Sequence, residues 1–575
     1  MSIRSAGWLR THRGWLFAAI FLLGAGARAI DLWRPVDGRV RDSWRECDEA
    51  AIARNFAREG MNILYPRIDW RGDGPGYAEM EFPLFPWSIA ALYKVFGFHE
   101  VLGRLLAYTL ALATLAVFLA LASMLLPWRG AAAAGLFFAV SPLAIRVSNA
   151  LQPESLMLLA YVTAAYAFVR WLKARDANEP ALAWYLTAAC ATALAVLAKA
   201  TAANVGVLFL VLLWRRQGRA MFRDPQVWAF GIIALVPAIL WYHHAHHLWL
   251  LYGNSLGLSN EDHWIGLDVF RNPDFVGGLV TSELYYVWMP AGVIVAAYGL
   301  LRAPRAPAAR IAVPLMIGAV LLYIAAIRTT AAFWALYYHV FSTIPVALLF
   351  GLGVAQLVRV RWTAGTRAWA ATATVVAGLS MVVFAKRDIP FGFGTSRFVV
   401  WAVTGLLAGF AVLIVMERRR RPASSQTSLT FLAAAGAAPA TFALLAGQVI
   451  ADIHPHPEMQ AYRAAVAFAP LVAPGTLILS SGGPCSSPLA PRVAYNASYM
   501  FYWLDRKGFD ICTEAQMPER VDGFAKRGAR YFVANNATVG SRPGFEAAIS
   551  QRYRLMASSN GWSLYDLQAP VPNAQ

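Results

Sequence analysis

Charged residues are scarce in this sequence. They make up 14% of its 575 residues, whereas hydrophobic residues make up 58%. A soluble chain of this length carries about a quarter charged residues and divides into several domains. The composition therefore argues against an ordinary soluble protein and favours one that resides in a membrane.

Nucleotide-binding motifs are missing from the polar C-terminal region, where neither a G-x-G-x-x-G nor a Walker pattern occurs. The formal net charge is +18, but the lysines and arginines lie mostly in short clusters between apolar stretches. This pattern is typical of cytoplasmic loops and not of a nucleic-acid-binding surface. We therefore expect no nucleic-acid partner.

Cysteine is also rare, with four in the chain. Cys190 lies in an apolar run and is predicted to be a small buried residue. Cys485 and Cys512 lie in the polar C-terminal region and could form a disulfide if that region is periplasmic, although Cys47 is an alternative partner.

Apolar stretches recur along the first 450 residues. A helix needs about 20 apolar residues to cross a bilayer core, and about thirteen stretches are candidates, several of them short. Their limits are 14–33, 101–126, 131–149, 155–173, 182–198, 201–214, 226–243, 285–301, 310–327, 338–358, 368–385, 397–416 and 428–450. We predict an all-α polytopic membrane domain over residues 1–450, with a first span that is not cleaved.

Basic residues are concentrated in every second connection between these spans, from Arg129 to the run 418–421. This alternation predicts a cytoplasmic N-terminus, and an odd number of spans then places the loop 34–100 and the C-terminus outside. The expected location is a bacterial inner membrane, so the outer side would be periplasmic. Short apolar runs alternate with helical stretches after residue 451. They predict a small soluble α/β domain over residues 451–575.

The first outer loop contains the acidic pair Asp48-Glu49 at the start of an amphipathic helical pattern that ends at Gly60. Such a helix would lie along the membrane surface. One carboxylate could be a general base that removes a proton from a hydroxyl group. The alternative is that Asp48 is an N-cap and Glu49 complements the helix dipole, as acids at helix starts often do.

Two more charged residues lie unexpectedly close to apolar spans. Glu154 follows Gln152-Pro153 in a very short outer turn, where it could serve the site or simply begin a helix. Lys199 lies at the outer end of the fifth span, against the charge trend. It could extend its ammonium group to the interface or bind a phosphate as a point charge.

Further candidates for a cavity wall are Glu79, Glu81, Tyr337, Tyr338 and His339. The aromatic residues among them could equally be part of an interfacial belt. Four histidines at positions 243, 244, 246 and 247 could bind a metal, but no cysteine or acid completes an obvious ligand set. Interfacial placement is the favoured interpretation of these histidines.

In their order and common outer placement, these motifs resemble the GT-C superfamily of membrane glycosyltransferases. The similar branch includes protein O-mannosyltransferases and the lipid A aminoarabinose transferase. The resemblance is carried by Asp48-Glu49, the run Glu-Phe-Pro-Leu-Phe-Pro-Trp at 81–87, Gln152-Pro153-Glu154 and Lys199. It covers most of residues 14–215, and beyond them it is mainly one of topology.

The resemblance implies that Asp48 is the catalytic base and Glu154 a second acid. It also implies a polyprenyl-phosphate sugar donor, inversion at the anomeric carbon and a lipid, glycan or protein acceptor. Lys199, with Arg58 and Arg67 as further candidates, would bind the donor phosphate. Some relatives use a divalent metal ion, and the sequence leaves this open here.

One departure concerns the residue after Glu81. In the aminoarabinose branch the corresponding acid is followed by a lysine and two prolines, whereas here Phe82-Pro83-Leu84 follow. The missing cation leaves the sugar unspecified. Two other classes remain as alternatives: a transporter of a lipid or sugar, disfavoured because acids gather at one surface and no repeat is visible, and an inert scaffold.

Overall fold

The computed structural model describes residues 3–37, 43–257, 273–331, 333–386, 408–417, 428–452, 459–483 and 498–570. Helices dominate the first 450 residues, and a five-stranded sheet lies in the C-terminal region. Residues 397–407 of the predicted span 397–416 lie outside the described residues. The predicted small sheet domain is present, but its periplasmic placement stays a prediction.

The helices of the N-terminal part follow the apolar stretches closely. They are α1 Ile3–Ala29, α2 Ser43–Glu59, α3 Leu84–Phe96, α4 Glu100–Leu125, α5 Trp128–Ala139, α6 Pro142–Arg146, α7 Glu154–Asp176, α8 Leu182–Ala198, α9 Gly206–Gln217, α10 Pro225–Tyr252, α11 Pro273–Glu283, α12 Pro290–Arg302, α13 Pro307–Ala325, α14 Ile327–Thr330, α15 Val340–Leu357, α16 Ala364–Lys386, α17 Ala408–Glu417 and α18 Leu429–Asp452. Short 3-10 turns cover Ala200–Val205, Gly218–Arg223 and Phe333–His339.

Six described helices are long and apolar enough to cross a membrane, or up to seven if the bent pair Phe275–Trp288 and Pro290–Arg302 forms one span. The chain is thus a multi-pass membrane protein. The predicted total of about thirteen spans is not confirmed, because several apolar helices, such as Leu182–Ala198, are shorter than a full crossing.

Small residues allow the membrane helices to pack closely. A Cβ atom added at Gly351 of α15 would lie 2.5 Å from the carbonyl oxygen of Gly130 in α5, and one at Gly353 would lie 2.1 Å from the carbonyl oxygen of Val295 in α12. These backbones touch directly, as small residues permit in membrane helix pairs. The centre of the bundle, α15, is almost completely buried by this packing.

The C-terminal region contains helices α19 Met459–Phe468, α20 Ser498–Leu504, α21 Pro518–Lys526, α22 Asn536–Gly540 and α23 Phe545–Arg552, with strands β1 Leu477–Ser481, β2 Lys507–Ile511, β3 Ala529–Asn535, β4 Tyr553–Ser559 and β5 Trp562–Pro570. The strand order is β2-β1-β3-β5-β4. β1 pairs in parallel with β2 and β3, and β5 is antiparallel to β3 and β4. Apolar side chains cover both faces of the sheet.

The loop helix α2 differs from its predicted position in two ways. It begins at Ser43, so Asp48 lies within the helix, and the interpretation of this residue as an N-cap is wrong. All residues from 45 to 56 are buried, which does not fit a helix lying on the membrane surface with an open polar face. The helix is buried although its sequence is polar, because its charged side chains form ion pairs with other parts of the protein.

The C-terminal region covers one side of α2. Strand β2 extends its hydrogen bonding into the first loop, where the amide nitrogen of Gly508 donates to the carbonyl oxygen of Asp69 at 3.1 Å and that of Gly72 donates to the carbonyl oxygen of Gly508 at 2.6 Å. The hydroxyl of Tyr502 donates to Glu100 at 2.7 Å. The first loop and the last domain are therefore docked through specific polar contacts.

The cysteines are arranged differently from the prediction in one respect. Cys190 is exposed on α8, because this face of the helix points away from the bundle, so its predicted burial is wrong. Cys47 is buried and free, which removes it as a disulfide partner. Cys485 lies outside the described residues, and the pairing of Cys485 with Cys512 stays a prediction.

Candidate active site

Four charged side chains meet where the first loop contacts the membrane helices. Arg45 of α2 donates to Glu81 at 2.9 Å and lies 3.9 Å from Glu154. Lys199 donates to Glu154. All four are buried, with at most 6% of any of these residues exposed. We call Arg45, Glu81, Glu154 and Lys199 the charged cluster.

Local structure explains why these residues meet. Glu154 begins α7 directly after Pro153, and Lys199 ends α8, so the antiparallel pair α7–α8 carries both at the same end. The amide nitrogen of Phe82 donates to the carbonyl oxygen of Leu197 at 3.0 Å, which brings Glu81 to the end of α8. Burial opposes ionisation of Glu81, but the charges of Arg45 and Lys199 hold its pKa below the ordinary value.

Two tyrosines in the 3-10 turn before α15 lie next to Lys199 of the charged cluster. The ammonium nitrogen of Lys199 lies 4.2 Å from the ring centre of Tyr337 and 4.2 Å from that of Tyr338. Such a position over two aromatic rings stabilises a cation. His339 follows them and is fixed between the carboxylate of Glu283, at 2.7 Å, and the carbonyl oxygen of Thr330, at 2.8 Å.

Glu49 lies on the side of α2 that faces the charged cluster. Its Oε2 atom is buried and has no hydrogen-bond partner among the described residues. Burial raises the pKa of Glu49 well above its usual range, with the carboxylates of Glu81 and Glu154 acting in the same direction and Arg45 against it. Burial thus opposes the ionisation of Glu49.

Asp48 precedes Glu49 and lies about one turn after Arg45, where it contacts the first loop through Trp70. Its carboxyl accepts a hydrogen bond from the indole nitrogen of Trp70 at 2.8 Å. Burial raises the pKa of Asp48 to about 7, although the Trp70 hydrogen bond and the charge of Arg45 oppose this rise. A carboxyl with such a pKa exchanges protons readily near neutral pH, as a general base requires.

Three other predicted residues lie away from the charged cluster, each with its own partners. Glu79 accepts a hydrogen bond from Ser255 and lies 3.5 Å from His246. Arg58 is paired with Asp505 at the exposed edge of the C-terminal region, and Arg67 lies over the ring of Tyr77. Their predicted roles in the cavity or in phosphate binding stay predictions.

Arg45 and Trp70 are the residues that the sequence did not single out. Arg45 supplies a cation beside Glu81, where the following residue is Phe82 and not a lysine. It lies one helical turn before Glu49, and that spacing is the signal that could have indicated it. Trp70 lies in a mixed polar stretch, and nothing in its neighbourhood marks its contact with Asp48.

Metal-binding groupings are absent from the described ranges: no three or more histidine, cysteine, aspartate and glutamate side chains are arranged there to hold an ion. His244 instead contacts the carbonyl oxygen of Leu64 at 2.9 Å. In the charged cluster each acid already has Arg45 or Lys199 as its partner.

Comparison with known proteins supports the resemblance seen in the sequence. Residues 75–243 match the family model described as dolichyl-phosphate-mannose-protein mannosyltransferase. The match includes Glu81, Glu154 and Lys199 but begins after Asp48. A comparison with curated protein sequences found no match.

Solved structures share the fold over nearly the whole chain. ArnT from Cupriavidus metallidurans in the apo state has a TM-score of 0.56 and 16% identity, covering 99% of this chain and 100% of its own. The same protein bound to undecaprenyl phosphate has a TM-score of 0.55 and 18% identity. The match covers 97% of this chain and 98% of the ArnT chain. A third structure is the oligosaccharyltransferase AglB from Archaeoglobus fulgidus, in complex with an inhibitory peptide and a dolichol-phosphate. It has a TM-score of 0.52 and 11% identity, and the match covers 100% of this chain and 76% of the AglB chain.

Proposed function

We propose that this multi-pass membrane protein is an inverting glycosyltransferase of the GT-C superfamily that works at the periplasmic face of a bacterial inner membrane. Its donor is a sugar linked to polyprenyl phosphate, and its acceptor is a hydroxyl group of a lipid, glycan or protein of the cell envelope. The proposal is supported by the family match over residues 75–243 and by the fold that the chain shares with ArnT. The membrane domain covers residues 1–450 and the periplasmic domain residues 451–575.

The reaction is one displacement at the anomeric carbon. Asp48 removes the proton from the acceptor hydroxyl, and the oxygen attacks the anomeric carbon from the side opposite the phosphate. The bond between the anomeric carbon and the phosphate oxygen breaks, and polyprenyl phosphate leaves with the bonding electrons. Lys199 and Arg45 stabilise the charge that grows on the phosphate.

The observation that carries this proposal is the placement of a proton acceptor beside a buried pair of cations. Asp48, with a pKa of about 7, and Arg45 lie within one turn of α2, and Lys199 joins Arg45 in the charged cluster. Because burial favours the neutral form of Glu49, this residue repels an incoming phosphate less than an ionised carboxylate would. The similar structures include one with bound undecaprenyl phosphate and one in complex with a dolichol-phosphate.

The direct test uses the purified protein in lipid nanodiscs that contain polyprenyl-phosphate-linked sugars and an extract of envelope lipids. We expect release of free polyprenyl phosphate together with transfer of the sugar to an acceptor, both followed by mass spectrometry. Failure to consume any lipid-linked sugar, combined with flux of such a lipid across a vesicle membrane, would instead support a transporter.

The rate of transfer is expected to depend on pH through Asp48. Burial raises the pKa of this group to about 7, and only the ionised form can accept a proton. Transfer should therefore rise with pH and reach a plateau above about 8, with a rate about tenfold below the plateau at pH 6. Initial rates between pH 5.5 and 9 measure this, with thermal unfolding at each pH as the check on integrity. A flat profile would count against Asp48.

A further inference from the structure

One hydroxyl group of the C-terminal region lies next to the candidate base. Ser498 is the first residue of α20 and is buried. Its Oγ donates to the carbonyl oxygen of Trp44 at 2.8 Å. Trp44 lies one helical turn before Asp48 in α2, and the Ser498 hydroxyl also lies within hydrogen-bonding reach of the Asp48 carboxyl. A residue of the last domain therefore adjoins the acid of the first loop.

The serine hydroxyl has one hydrogen and two possible acceptors at this place. When Asp48 is neutral, the carbonyl oxygen of Trp44 is a suitable acceptor. When Asp48 is ionised, its carboxylate is the stronger acceptor, because hydrogen bonds to charged groups are shorter and stronger than neutral ones. Rotation of the hydroxyl thus favours the ionised carboxylate without any movement of the backbone.

The position of Ser498 is fixed by the contacts of the helix that it begins. Tyr502, one turn later, donates to Glu100 at 2.7 Å, and the indole nitrogen of Trp503 donates to the carbonyl oxygen of Val36 at 2.6 Å. Tyr502 also packs against Cys47 and Ala50 of α2. These contacts hold α20 on α2, so the hydroxyl is already in place before any substrate binds.

We propose that Ser498 is a positioning residue that holds the Asp48 carboxylate ready to accept a proton, and that the C-terminal region is therefore part of the transfer site. This inference rests on the proposed role of Asp48 as the base. The C-terminal region thereby contributes to proton transfer at Asp48, in addition to any contact that it makes with the acceptor.

Several other groups influence the protonation of Asp48 and stay in place when Ser498 is changed. They are Arg45 and Glu49 from α2, Asp69 and Trp70 from the first loop, and Asp510 from β2. Burial, then the charge of Asp48, raises the pKa of Asp510 to about 8. A change of one serine hydroxyl alters none of these residues, so its effect on the pH profile can be assigned to the hydroxyl.

The test compares the pH dependence of sugar transfer in Ser498→Ala and in the full-length wild-type protein. Loss of the hydrogen bond should raise the pKa of Asp48, moving the midpoint of the profile up by about one pH unit. Transfer at pH 6 should then fall about tenfold, whereas at pH 9 it should stay within about twofold because Asp48 is ionised in both proteins. Ser498→Thr, which keeps the hydroxyl, should restore the midpoint.

The matched control is Ser541→Ala, which removes an exposed hydroxyl of the same domain that donates to the carbonyl oxygen of Thr538 at 2.7 Å. Its profile should coincide with that of the wild-type protein. An equal loss of rate at every pH in Ser498→Ala would overturn the proposal, since it would mean that the hydroxyl only supports the fold.

A second measurement does not depend on activity. A hydrophobic carbodiimide modifies protonated buried carboxyl groups, and mass spectrometry can follow labelling of Asp48 against pH. The labelling midpoint should also move up by about one unit in Ser498→Ala. An unchanged midpoint would refute the role of Ser498 even if the protein transfers no sugar, whereas a shifted midpoint without transfer would refute only the proposed function.

Discussion

Asp48→Asn is expected to lower the rate of sugar transfer by about 10²- to 10⁴-fold, the usual contribution of a general base. The amide has nearly the same shape as the carboxyl, and its oxygen can still accept the indole hydrogen of Trp70. It cannot accept a proton from the acceptor hydroxyl. Initial rates of release of polyprenyl phosphate from a lipid-linked sugar measure the effect.

The fold of this variant should be intact. Asp48 is only 5% exposed, and a neutral group costs less to bury than a carboxylate, so the temperature of unfolding should not fall. Asp73→Asn is the matched control, because Asp73 lies at the surface in an ion pair with Arg527. If Asp48→Asn kept more than about a tenth of the wild-type rate, a base worth 10²-fold or more could not be Asp48.

Lys199→Met is expected to affect both stability and transfer. It leaves the carboxyl of Glu154, which is completely buried, without its closest cation. Breaking a buried ion pair in this way costs about 3–5 kcal/mol of folding free energy. Transfer should fall by at least about 10²-fold, because the departing phosphate loses one of its two stabilising cations. Thermal unfolding in detergent and initial rates measure the two effects.

A double variant separates these effects. Lys199→Met combined with Glu154→Gln removes both charges, and such replacements are often close to neutral for stability. Most of the lost stability should therefore return, whereas transfer should not. Recovery of transfer together with stability in the double variant would show that the pair only supports the fold, and the phosphate would then have to be bound elsewhere.

Glu154 and Lys199 could be predicted from the sequence because they are charges in apolar surroundings. Placing a charge beside a membrane span costs free energy unless a partner or a function offsets it. Both residues therefore stand out without knowledge of the fold, and the structure brings them into contact. Glu81 was accessible to the same reasoning, because it immediately precedes an aromatic and proline-rich run.

Arg45 and Trp70 could not be identified in the same way. They lie in the first loop, where charged and aromatic residues are common, so neither is exceptional in its surroundings. What makes them important is a contact between distant segments. The one-turn spacing of Arg45 and Glu49 indicates that the two are neighbours on α2, but not which distant residues they contact. The start of α2 at Ser43 was missed for a related reason, since its polar residues before Asp48 become buried only through tertiary ion pairs.

The covering of α2 by the C-terminal region was the largest feature that the sequence did not indicate. The pattern of α2 suggested one apolar face and one open face. The docking of Tyr502 and Ser498 on it depends on residues about 450 positions later in the chain. The local sequence predicted the mainly helical membrane part and the small C-terminal sheet, but the surface through which the two meet is set by shape and charge that appear only after folding.

The contact of α20 with α2 determines when, during synthesis and folding, the environment of Asp48 is completed. The helix that carries the proposed base is made early by the ribosome, but the residues that bury it are made near the end. Until α20 and β2 have folded onto the loop, the polar groups of α2 stay hydrated, and hydration would return the acid of Asp48 towards its ordinary strength. We therefore expect position 48 to carry a weaker base in a chain that lacks α20 and β2, even with every membrane helix inserted.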